Sequence, residues 1–447
     1  MSLPPITLSG MRNFTFVDLF AGIGGFHHAL GRIGGKCVLA VEQDKNCQAV
    51  YRAAFPRTPL QDDIRALTRD SAGRDLAHEE VDRIVPDHDV LCAGFPCQPF
   101  SKSGYQLGVR DRTRGTLFFD VMTIVLAKRP RFVMLENVRN LAGPRHASTW
   151  TTIIESLREA GYQVASEPLV LSPHLLSKEL GGAPQVRDRV FILAHKVEGL
   201  GPLKIVEPLA GRQPSDGWDP DRWKIEEHLQ PDSEIQDIER YQLRGEEVGW
   251  IDAWQDFVAN VPADSLPGFP IWFDAFHVKP RNMAGAPEWK RVILRKNSEF
   301  YMLDKNREFI DEWRKKKWGS LEQTVSEFPP SRRKFEWQAR KSQPFQEDRN
   351  LWDLALHMRP SGIRVKPLTY LPALVAINQT SIIGPRRRRI TPIEAARLQG
   401  IPPDFFWTAG VSESTAYKQL GNAVNVGVVS YLVQILFADA DRAVIAA

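Results

Sequence analysis

The chain has 447 residues, which is more than one hydrophobic core usually supports, so its length predicts two domains. Its 43% hydrophobic and 25% charged residues are ordinary for a globular protein. No apolar run is long enough to span a membrane, and the first residues lack the layout of a secretion signal. Four cysteines without a CxxC pair or a Cys/His cluster argue against disulfides and zinc. We therefore expect a cytoplasmic protein that binds no metal and no membrane.

The net charge of +4 is unevenly distributed along the chain. Residues 201–270 carry 6 basic and 15 acidic side chains, a net charge of −9. Residues 271–390 carry 25 basic and 13 acidic side chains, a net charge of +12. A basic segment of this length predicts a surface that binds a polyanion.

The first half of the chain alternates predicted strands and helices. Predicted strands cover residues 14–20, 36–42, 89–93, 131–136, 162–170 and 189–194, and predicted helices begin near residues 26, 44, 116 and 148. Asp44 is the expected N-cap of the second helix. This alternation predicts an α/β fold with a mostly parallel sheet covered on both faces.

The pattern changes after about residue 197. Residues 201–360 hold ten of the twelve tryptophans and no clear alternation, which we interpret as an irregular, loop-rich domain with most tryptophans in its core. Regularity returns at Thr391-Pro392-Ile393-Glu394, which matches a capping box with proline at the first helical position. The predicted organisation is a first domain at 1–197, a second at 198–388, and a segment 389–447 that returns to the first domain.

A glycine-rich turn joins the first predicted strand to the first helix, at Ala21-Gly22-Ile23-Gly24-Gly25. Such glycines let a ligand approach the backbone at a helix N-terminus. Glu42 ends the next strand, where an acid binds ribose hydroxyls in folds of this kind. The pattern is GxGG and not GxGxxG, so an adenosyl ligand without a pyrophosphate fits better than the nicotinamide dinucleotide of an oxidoreductase. Asp62-Asp63-Ile64, after the next helix, is placed to meet the adenine.

Cys97 lies between two prolines, directly after the predicted strand 89–93. Proline fixes its own φ angle and biases the preceding residue away from helix, so this thiol is held on a stiff loop. Enzymes with α/β folds carry their chemistry at the ends of such strands. This setting predicts a nucleophile at Cys97, whereas Cys37, Cys47 and Cys92 are predicted to be inert packing residues.

Several motifs, in this order along the chain, resemble those of the DNA cytosine-5 methyltransferase family. They are Asp18-Leu19-Phe20-Ala21-Gly22-Ile23-Gly24-Gly25, Gly94-Phe95-Pro96-Cys97-Gln98-Pro99-Phe100-Ser101, Glu136-Asn137-Val138, Gln185-Val186-Arg187-Asp188-Arg189, Arg389-Ile390-Thr391 through Glu394, Arg397-Leu398-Gln399-Gly400, and Gln419-Leu420-Gly421-Asn422-Ala423-Val424. The resemblance covers roughly 1–197 and 386–447. It implies a class I, Rossmann-like fold that uses S-adenosylmethionine, with 198–388 in the position of the family's target-recognition domain.

The resemblance also implies roles for individual residues. Cys97 would attack carbon 6 of a flipped-out cytosine, and Glu136 would protonate or hydrogen-bond ring nitrogen 3. Arg189, and secondarily Arg187, would orient Glu136 and hold the exocyclic oxygen of the cytosine or adjacent phosphates. The expected cofactor-binding residues are Phe20, Gly22, Gly24, Glu42, Asp63, Ile64, Leu117 and Asn422. The expected substrate-binding residues are Gln98, Ser101, Gln185, Arg387 and Arg388, and residues 100–115 would form a loop that closes over DNA. Arg387 and Arg388 belong to the run Arg386–Arg389, where the second domain rejoins the first; such a run is either a solvated linker or a phosphate contact, and we expect the contact.

The predicted function is methylation of carbon 5 of cytosine in a specific short sequence of double-stranded DNA. The compact organisation resembles bacterial enzymes paired with a restriction endonuclease, and we expect a monomer. Two alternatives stay open from the sequence: a methyltransferase acting on transfer RNA, and a catalytically silent DNA-binding homologue. The long segment 198–388 disfavours the first, and the presence of both Cys97 and Glu136 disfavours the second.

Overall fold

A computed structural model describes residues 13–96, 117–165, 167–196, 218–261, 266–278, 285–339, 349–374 and 380–445. The chain divides into two compact units. Unit 1 comprises Met1–Trp223 and Ala395–Ala447, and unit 2 comprises Lys224–Glu394. The chain therefore leaves unit 1 once and returns to it.

Unit 1 is an α/β unit in which strands and helices alternate. Its strands are Thr15–Leu19 (β1), Lys36–Val41 (β2), Leu60–Gln61 (β3), Val90–Ala93 (β4), Phe132–Val138 (β5), Tyr162–Val164 (β6), Leu169–Leu171 (β7), Gln185–Val186 (β8) and Arg189–Lys196 (β9). Its helices before the chain enters unit 2 are Gly25–Gly31 (α1), Lys45–Ala54 (α2), Arg65–Thr68 (α3), His78–Ile84 (α4), Leu117–Lys128 (α5) and Ala147–Glu159 (α6). Asp44 caps α2 as predicted, because its side chain accepts hydrogen bonds from the amides of Asn46 and Cys47.

Eight of these strands form one sheet in the order β3-β2-β1-β4-β5-β9-β6, with β7 also paired to β9. The strands from β3 to β5 are parallel to their neighbours, whereas β9 runs antiparallel to β5, β6 and β7. The predicted α/β fold is confirmed. The single strand expected at 162–170 is instead two short strands, β6 and β7, and both pair with β9.

The central strands are apolar on both faces because helices cover both sides of the sheet. Every residue of β4 is buried, and so are most residues of α5. Helix Pro392–Gln399 (α10) crosses the boundary between the units. It is followed in unit 1 by the helices Asp404–Thr408 (α11), Glu413–Asn422 (α12) and Val426–Ile445 (α13). The ring of Phe437 on α13 packs edge-on against Phe14, with centroids 5.1 Å apart. This contact joins the C-terminal helix to the residue that precedes β1.

Unit 2 is more regular than its sequence suggests. Its helices are Gly245–Asn260 (α7), Glu288–Met302 (α8) and Asp304–Trp313 (α9), and its strands are Ile271–Trp272 (β10), Lys334–Trp337 (β11), Ala355–Arg359 (β12), Gly362–Lys366 (β13), Leu371–Pro372 (β14), Ile382–Ile383 (β15) and Arg388–Arg389 (β16). Six of the strands form a sheet in the order β10-β11-β13-β12-β15-β16. The core holds Trp254 and Trp313, both fully buried, as the sequence predicts for most tryptophans.

One stretch among the described residues, Glu413–Ala438, is long and apolar enough to cross a membrane by length and composition alone. Two thirds of its most apolar window is buried inside the structure (67%), which is typical of a core helix in a globular unit. The capping box at Thr391 is present, since Thr391 Oγ1 accepts from the Glu394 amide at 3.1 Å and Glu394 Oε2 accepts from the Thr391 amide at 2.8 Å.

Candidate active site

The site lies at the carboxyl ends of three neighbouring parallel strands, β1, β4 and β5. Leu19, Ala93 and Leu135 are aligned across the sheet, so the residues that follow them emerge at the same edge. These following segments are the glycine-rich turn, the Gly94-Phe95-Pro96 segment that leads to Cys97, and Glu136. The sheet therefore brings together three motifs that are far apart in sequence.

Glu136 is buried and is held by an arginine from the adjacent antiparallel strand. Arg189 Nε donates to Glu136 Oε1 at 2.9 Å. Burial raises the pKa of Glu136 above the usual glutamate value, while the charges of Arg189 and Arg187 oppose that rise. A raised pKa favours the protonated form of a carboxyl group, which is the form that can donate a proton.

Asn137 fixes the segment that leads to Cys97. Its Nδ2 donates to the carbonyl oxygen of Phe95 at 2.9 Å, and both residues are buried. The sequence analysis included Asn137 in a motif and gave it no role. Its place directly after a strand-end acid was the available signal, because such an amide can bind a neighbouring strand end. The structure identifies it as a positioning residue for the Cys97 loop.

Arg187 contacts the backbone of the C-terminal segment. Its Nη1 donates to Gly421 O at 2.9 Å and its Nη2 to Ala423 O at 2.5 Å, and the side chain is only 2% exposed. Both terminal nitrogens of Arg187 thus bind carbonyl oxygens of residues 421–423, and its charge acts on Glu136. Its expected contact with cytosine or phosphate stays a prediction.

Gln185 makes an amide–amide contact between β8 and α10. Its Oε1 accepts from Gln399 Nε2 at 2.9 Å, and the side chain is fully buried. Its expected role in substrate binding stays a prediction. The sequence could not separate the two roles, since a polar residue beside an active-site motif fits both.

The glycine-rich turn and Glu42 form the candidate adenosyl site. Glu42 Oε2 accepts from the Gly22 amide at 2.8 Å, and Oε1 accepts from the Asp44 amide at 2.6 Å. Burial raises the pKa of Glu42, and these two amides oppose the rise. Phe20 and Gly22 have φ angles of 59° and 58°. A Cβ added at Gly22 would meet nothing within 4 Å, so the turn borders open space that a ligand can enter.

The other expected cofactor-binding residues differ in how far their side chains are exposed to solvent. Gly24, the N-cap of α1, has a φ of 86° and faces the ring of Phe55. Asp63 is bound by the Arg65 side chain, with both Oδ atoms 3.0 Å from Nε. Ile64 is buried in the core, and Leu117 is half-buried at the start of α5. Asn422 is exposed at the end of α12.

The C-terminal segment packs directly on the glycine-rich turn. A Cβ added at Gly25 would lie 2.6 Å from Val424 Cγ2 and 3.1 Å from Val424 O. Only glycine allows this approach, and the contact places Asn422 and its neighbours beside α1. The order of the motifs along the chain is therefore explained by packing within unit 1.

Asp18 is a buried carboxyl group beneath the same turn. It is fully buried, and the backbone amide of His27 is the hydrogen-bond donor that acts on it. Burial raises its pKa well above the usual aspartate value. The sequence analysis included Asp18 in the first motif and did not predict this environment.

Three expected site residues, Cys97, Gln98 and Ser101, lie outside the described residues, as does the loop expected at 100–115. The structure describes the chain up to Pro96 and again from Leu117. Their assignment stays a prediction that rests on the sequence. The described cysteines fit their predicted role, since Cys37 and Cys92 are buried and Cys47 is partly buried.

The comparisons with known proteins agree with this geometry. The family model for C-5 cytosine-specific DNA methylases matches residues 14–438. The chain belongs to this family. It is 38% identical to the type II methyltransferase M.AluI of Cellulosimicrobium cellulans, over 94% of this chain and 91% of that protein. It is 30% identical to the type II methyltransferase M.BanI of Aneurinibacillus aneurinilyticus, over 94% of this chain and 95% of that protein.

The fold of this methylase is also found among solved structures. A prophage-encoded DNA modification methyltransferase (E. coli) superposes with a TM-score of 0.50 at 19% identity, covering 95% of this chain and 99% of that one. At this identity the likeness concerns the fold alone. It agrees with the class I arrangement that the sequence predicts.

The arginine run of this methylase, Arg386–Arg389, contains one buried and one exposed candidate for a phosphate contact. Arg388 is fully buried, and it binds Glu394 Oε1 through Nη2 and Asp232 Oδ1 through Nε, both at 2.8 Å. Its guanidinium is thus bound by carboxylates within unit 2, and its expected phosphate contact stays a prediction. Arg387 is exposed and lies 4.3 Å from the ring centroid of Trp352, so its expected phosphate contact stays a prediction.

Proposed function

We propose that this methylase transfers a methyl group to carbon 5 of a flipped-out cytosine in a short, specific sequence of double-stranded DNA. The observation that carries the proposal is the buried Arg189–Glu136 pair at the sheet edge from which the Cys97 loop emerges. An acid with a raised pKa beside a loop carrying a nucleophile is the arrangement that addition to a pyrimidine ring needs.

The Cys97 thiolate adds to carbon 6 of the cytosine, which turns the ring into an enamine with a nucleophilic carbon 5. Glu136 donates a proton or a hydrogen bond to ring nitrogen 3, where negative charge otherwise accumulates. After carbon 5 has been methylated, loss of its proton and of the thiolate restores the aromatic ring. Arg189 holds the Glu136 carboxyl group towards this position, and Asn137 fixes the backbone that carries Cys97.

S-adenosylmethionine fits the open space beside the glycine-rich turn, and when bound it supplies an electrophilic methyl group. Gly22 lets the ligand approach the backbone, and Phe20 provides an apolar face. Glu42 is the acceptor for the ribose hydroxyls, and it is held in place by the amides of Gly22 and Asp44. The GxGG pattern at Gly22-Ile23-Gly24-Gly25, which differs from the GxGxxG of pyrophosphate-binding turns, again favours an adenosyl ligand.

Residues 198–388 form the proposed target-recognition domain, and residues 1–197 with 389–447 form the catalytic part. The described portion of 271–390 contains most of the basic side chains that make this segment positive. M.AluI and M.BanI are type II methyltransferases by name. By analogy, this methylase protects bacterial DNA from a cognate endonuclease, acts in the cytoplasm and functions as a monomer.

The decisive experiment is to express the chain in bacteria that lack cytosine methylation and to sequence their DNA with a chemistry that reports 5-methylcytosine. We expect the modified base at one cytosine of one short sequence, and none with the C97S variant. Modified transfer RNA with unmodified DNA would support the RNA alternative. Unmodified nucleic acid of both kinds, from a folded protein, would support the silent homologue.

A further inference from the structure

Unit 2 contains an open cavity of about 560 Å³ that is separate from the residues assigned to catalysis. It lies where the segment Pro330–Arg332 meets the ends of β11, β12, β15 and β16. Its charged lining side chains are Arg332, Lys334, Arg389 and Glu247. The arginine run that the sequence singled out contributes only Arg389 to this cavity.

The cavity carries an excess of positive charge. Arg389 Nη2 donates to Glu247 Oε1 at 2.6 Å, so these two charges neutralise each other. Glu247 also accepts from the Arg244 amide at 3.1 Å. Among the described residues, neither Arg332 nor Lys334 has a carboxylate partner within ion-pair distance. Glu247 acts on Arg332 only from beyond ion-pair distance, and it is shared with Arg389, so the lining keeps an excess of positive charge.

Both cations are held in place by their surroundings. Arg332 Nη1 donates to the carbonyl oxygen of Arg359 at 3.1 Å, and its guanidinium carbon lies 5.4 Å from the ring centroid of Trp250. Lys334 Nζ lies 4.8 Å from the ring centroid of Trp272. Fixed cations lose little conformational entropy when a ligand binds, so the site is preorganised.

Arg332 also has hydrogen-bonding capacity that the described residues do not use. Its Nε is buried without a hydrogen-bond partner there, and only Nη1 donates to an acceptor. Burial lowers the pKa of Arg332, which shows that the charge is partly desolvated. An anion in the cavity would compensate this cost.

The shape and the apolar lining indicate which anion fits. Pro330, Met358 and Ile382 give the cavity apolar walls beside the two cations. The DNA backbone is a ridge of phosphates joined by deoxyribose rings, whereas base edges are recessed in the grooves. A concave site with cations and apolar walls matches that ridge. We propose that the cavity binds one phosphate of the DNA backbone together with its neighbouring deoxyribose, through Arg332 and Lys334.

This inference rests on the proposed function, because it assumes that the substrate is DNA. A phosphate contact positions the protein on the duplex and carries no direct sequence information. In this proposal, Arg332 and Lys334 make the phosphate contact that the sequence analysis expected of Arg388.

The test measures the affinity of the full-length methylase for two fluorescein-labelled duplexes by fluorescence anisotropy, between 50 and 200 mM NaCl. One duplex contains the methylated sequence and the other a scrambled version. The variants are R332Q, K334Q and R332Q/K334Q. R333Q is the matched control, since Arg333 is the neighbouring arginine and its Nη1 binds Asp274 Oδ1 at 2.7 Å. K334Q keeps the test valid if R332Q does not fold.

We expect each single variant to weaken binding to both duplexes by the same factor and to lower the salt slope. The double variant should lower the slope by about 0.9, the value for one phosphate, which corresponds to about 3.5-fold between 50 and 200 mM salt. R333Q should keep the wild-type slope. Wild-type slopes in R332Q and K334Q would overturn the inference, and so would a loss confined to the methylated sequence. If the wild-type protein itself binds no duplex, the proposed function fails and not only this site.

Discussion

Replacing Arg189 with methionine removes the cation that lies closest to the buried Glu136 carboxyl group. The Arg189 side chain is 19% exposed and that of Glu136 is 9% exposed, so water screens this pair only weakly. Burial already raises the pKa of Glu136, and Arg189 opposes that rise. The R189M variant should therefore have a Glu136 with a still higher pKa.

The size of this effect follows from the 2.9 Å contact between Arg189 Nε and Glu136 Oε1. Two unit charges about 4 Å apart interact by about 4 kcal/mol at an effective dielectric constant of about 20. An adjacent arginine typically lowers a carboxyl pKa by about 1–3 units, and each unit corresponds to about 1.4 kcal/mol. The loss of Arg189 should thus lower the free energy of unfolding by between about 1.4 and 4 kcal/mol. This loss applies at pH values at which Glu136 of the wild type is ionised.

The sign of the pH dependence follows from linkage. A carboxyl group whose pKa is higher in the folded state contributes stability below its unfolded pKa, and this contribution is lost as the pH rises through the folded pKa. Because R189M raises the folded pKa further, the variant should lose more stability than the wild type between pH 5 and pH 8. At pH 5 the two proteins should differ mainly by the lost packing of the arginine.

The assay is urea unfolding of the wild type, R189M, E136Q and R189M/E136Q at pH 5 and pH 8. The free-energy difference between R189M and the wild type should grow by about 1.4–4 kcal/mol from pH 5 to pH 8. In the E136Q background the same arginine substitution should show no such growth. An R189M penalty that is equal at both pH values would refute the electrostatic role given to this pair.

Three further predictions concern catalysis, packing and the arginine run. E136Q should lower the rate of methyl transfer by roughly 10²–10⁴ while S-adenosylmethionine binding, followed by calorimetry, stays unchanged. G25A should destabilise the protein by about 1–3 kcal/mol in thermal unfolding and weaken S-adenosylmethionine binding, because its methyl group would displace Val424. R388Q should cost about 3–5 kcal/mol of stability by removing the cation that is paired with the buried Glu394 carboxylate, whereas R387Q should change stability by less than about 0.5 kcal/mol and weaken binding to every duplex.

The order of elements in unit 1 could be predicted because its strands are buried on both faces and read as apolar runs. The alignment of Leu19, Ala93 and Leu135 follows from parallel pairing of consecutive strand–helix units. The antiparallel β9 could not be inferred, because an apolar strand has the same sequence pattern in either direction.

Unit 2 was predicted less well, for a physical reason. Of the seven strands in the part of unit 2 that the structure describes, four have only two residues, which is too short for an alternating pattern to appear in the sequence. The burial of Arg388 could not be predicted either, because Asp232 and Glu394 reach it from distant or helical positions. A run of arginines in sequence shows charge but not which of them meets a carboxylate.

The most direct measurement of the central claim is covalent trapping on DNA that carries 5-fluorocytosine at the methylated position. Fluorine on carbon 5 cannot leave as a proton, so the adduct between Cys97 and carbon 6 should persist after methyl transfer. With S-adenosylmethionine present, the wild type should give a denaturant-resistant protein–DNA complex, and the C97S variant should give none. Trapping of C97S at the wild-type level would contradict the assignment of Cys97 as the nucleophile.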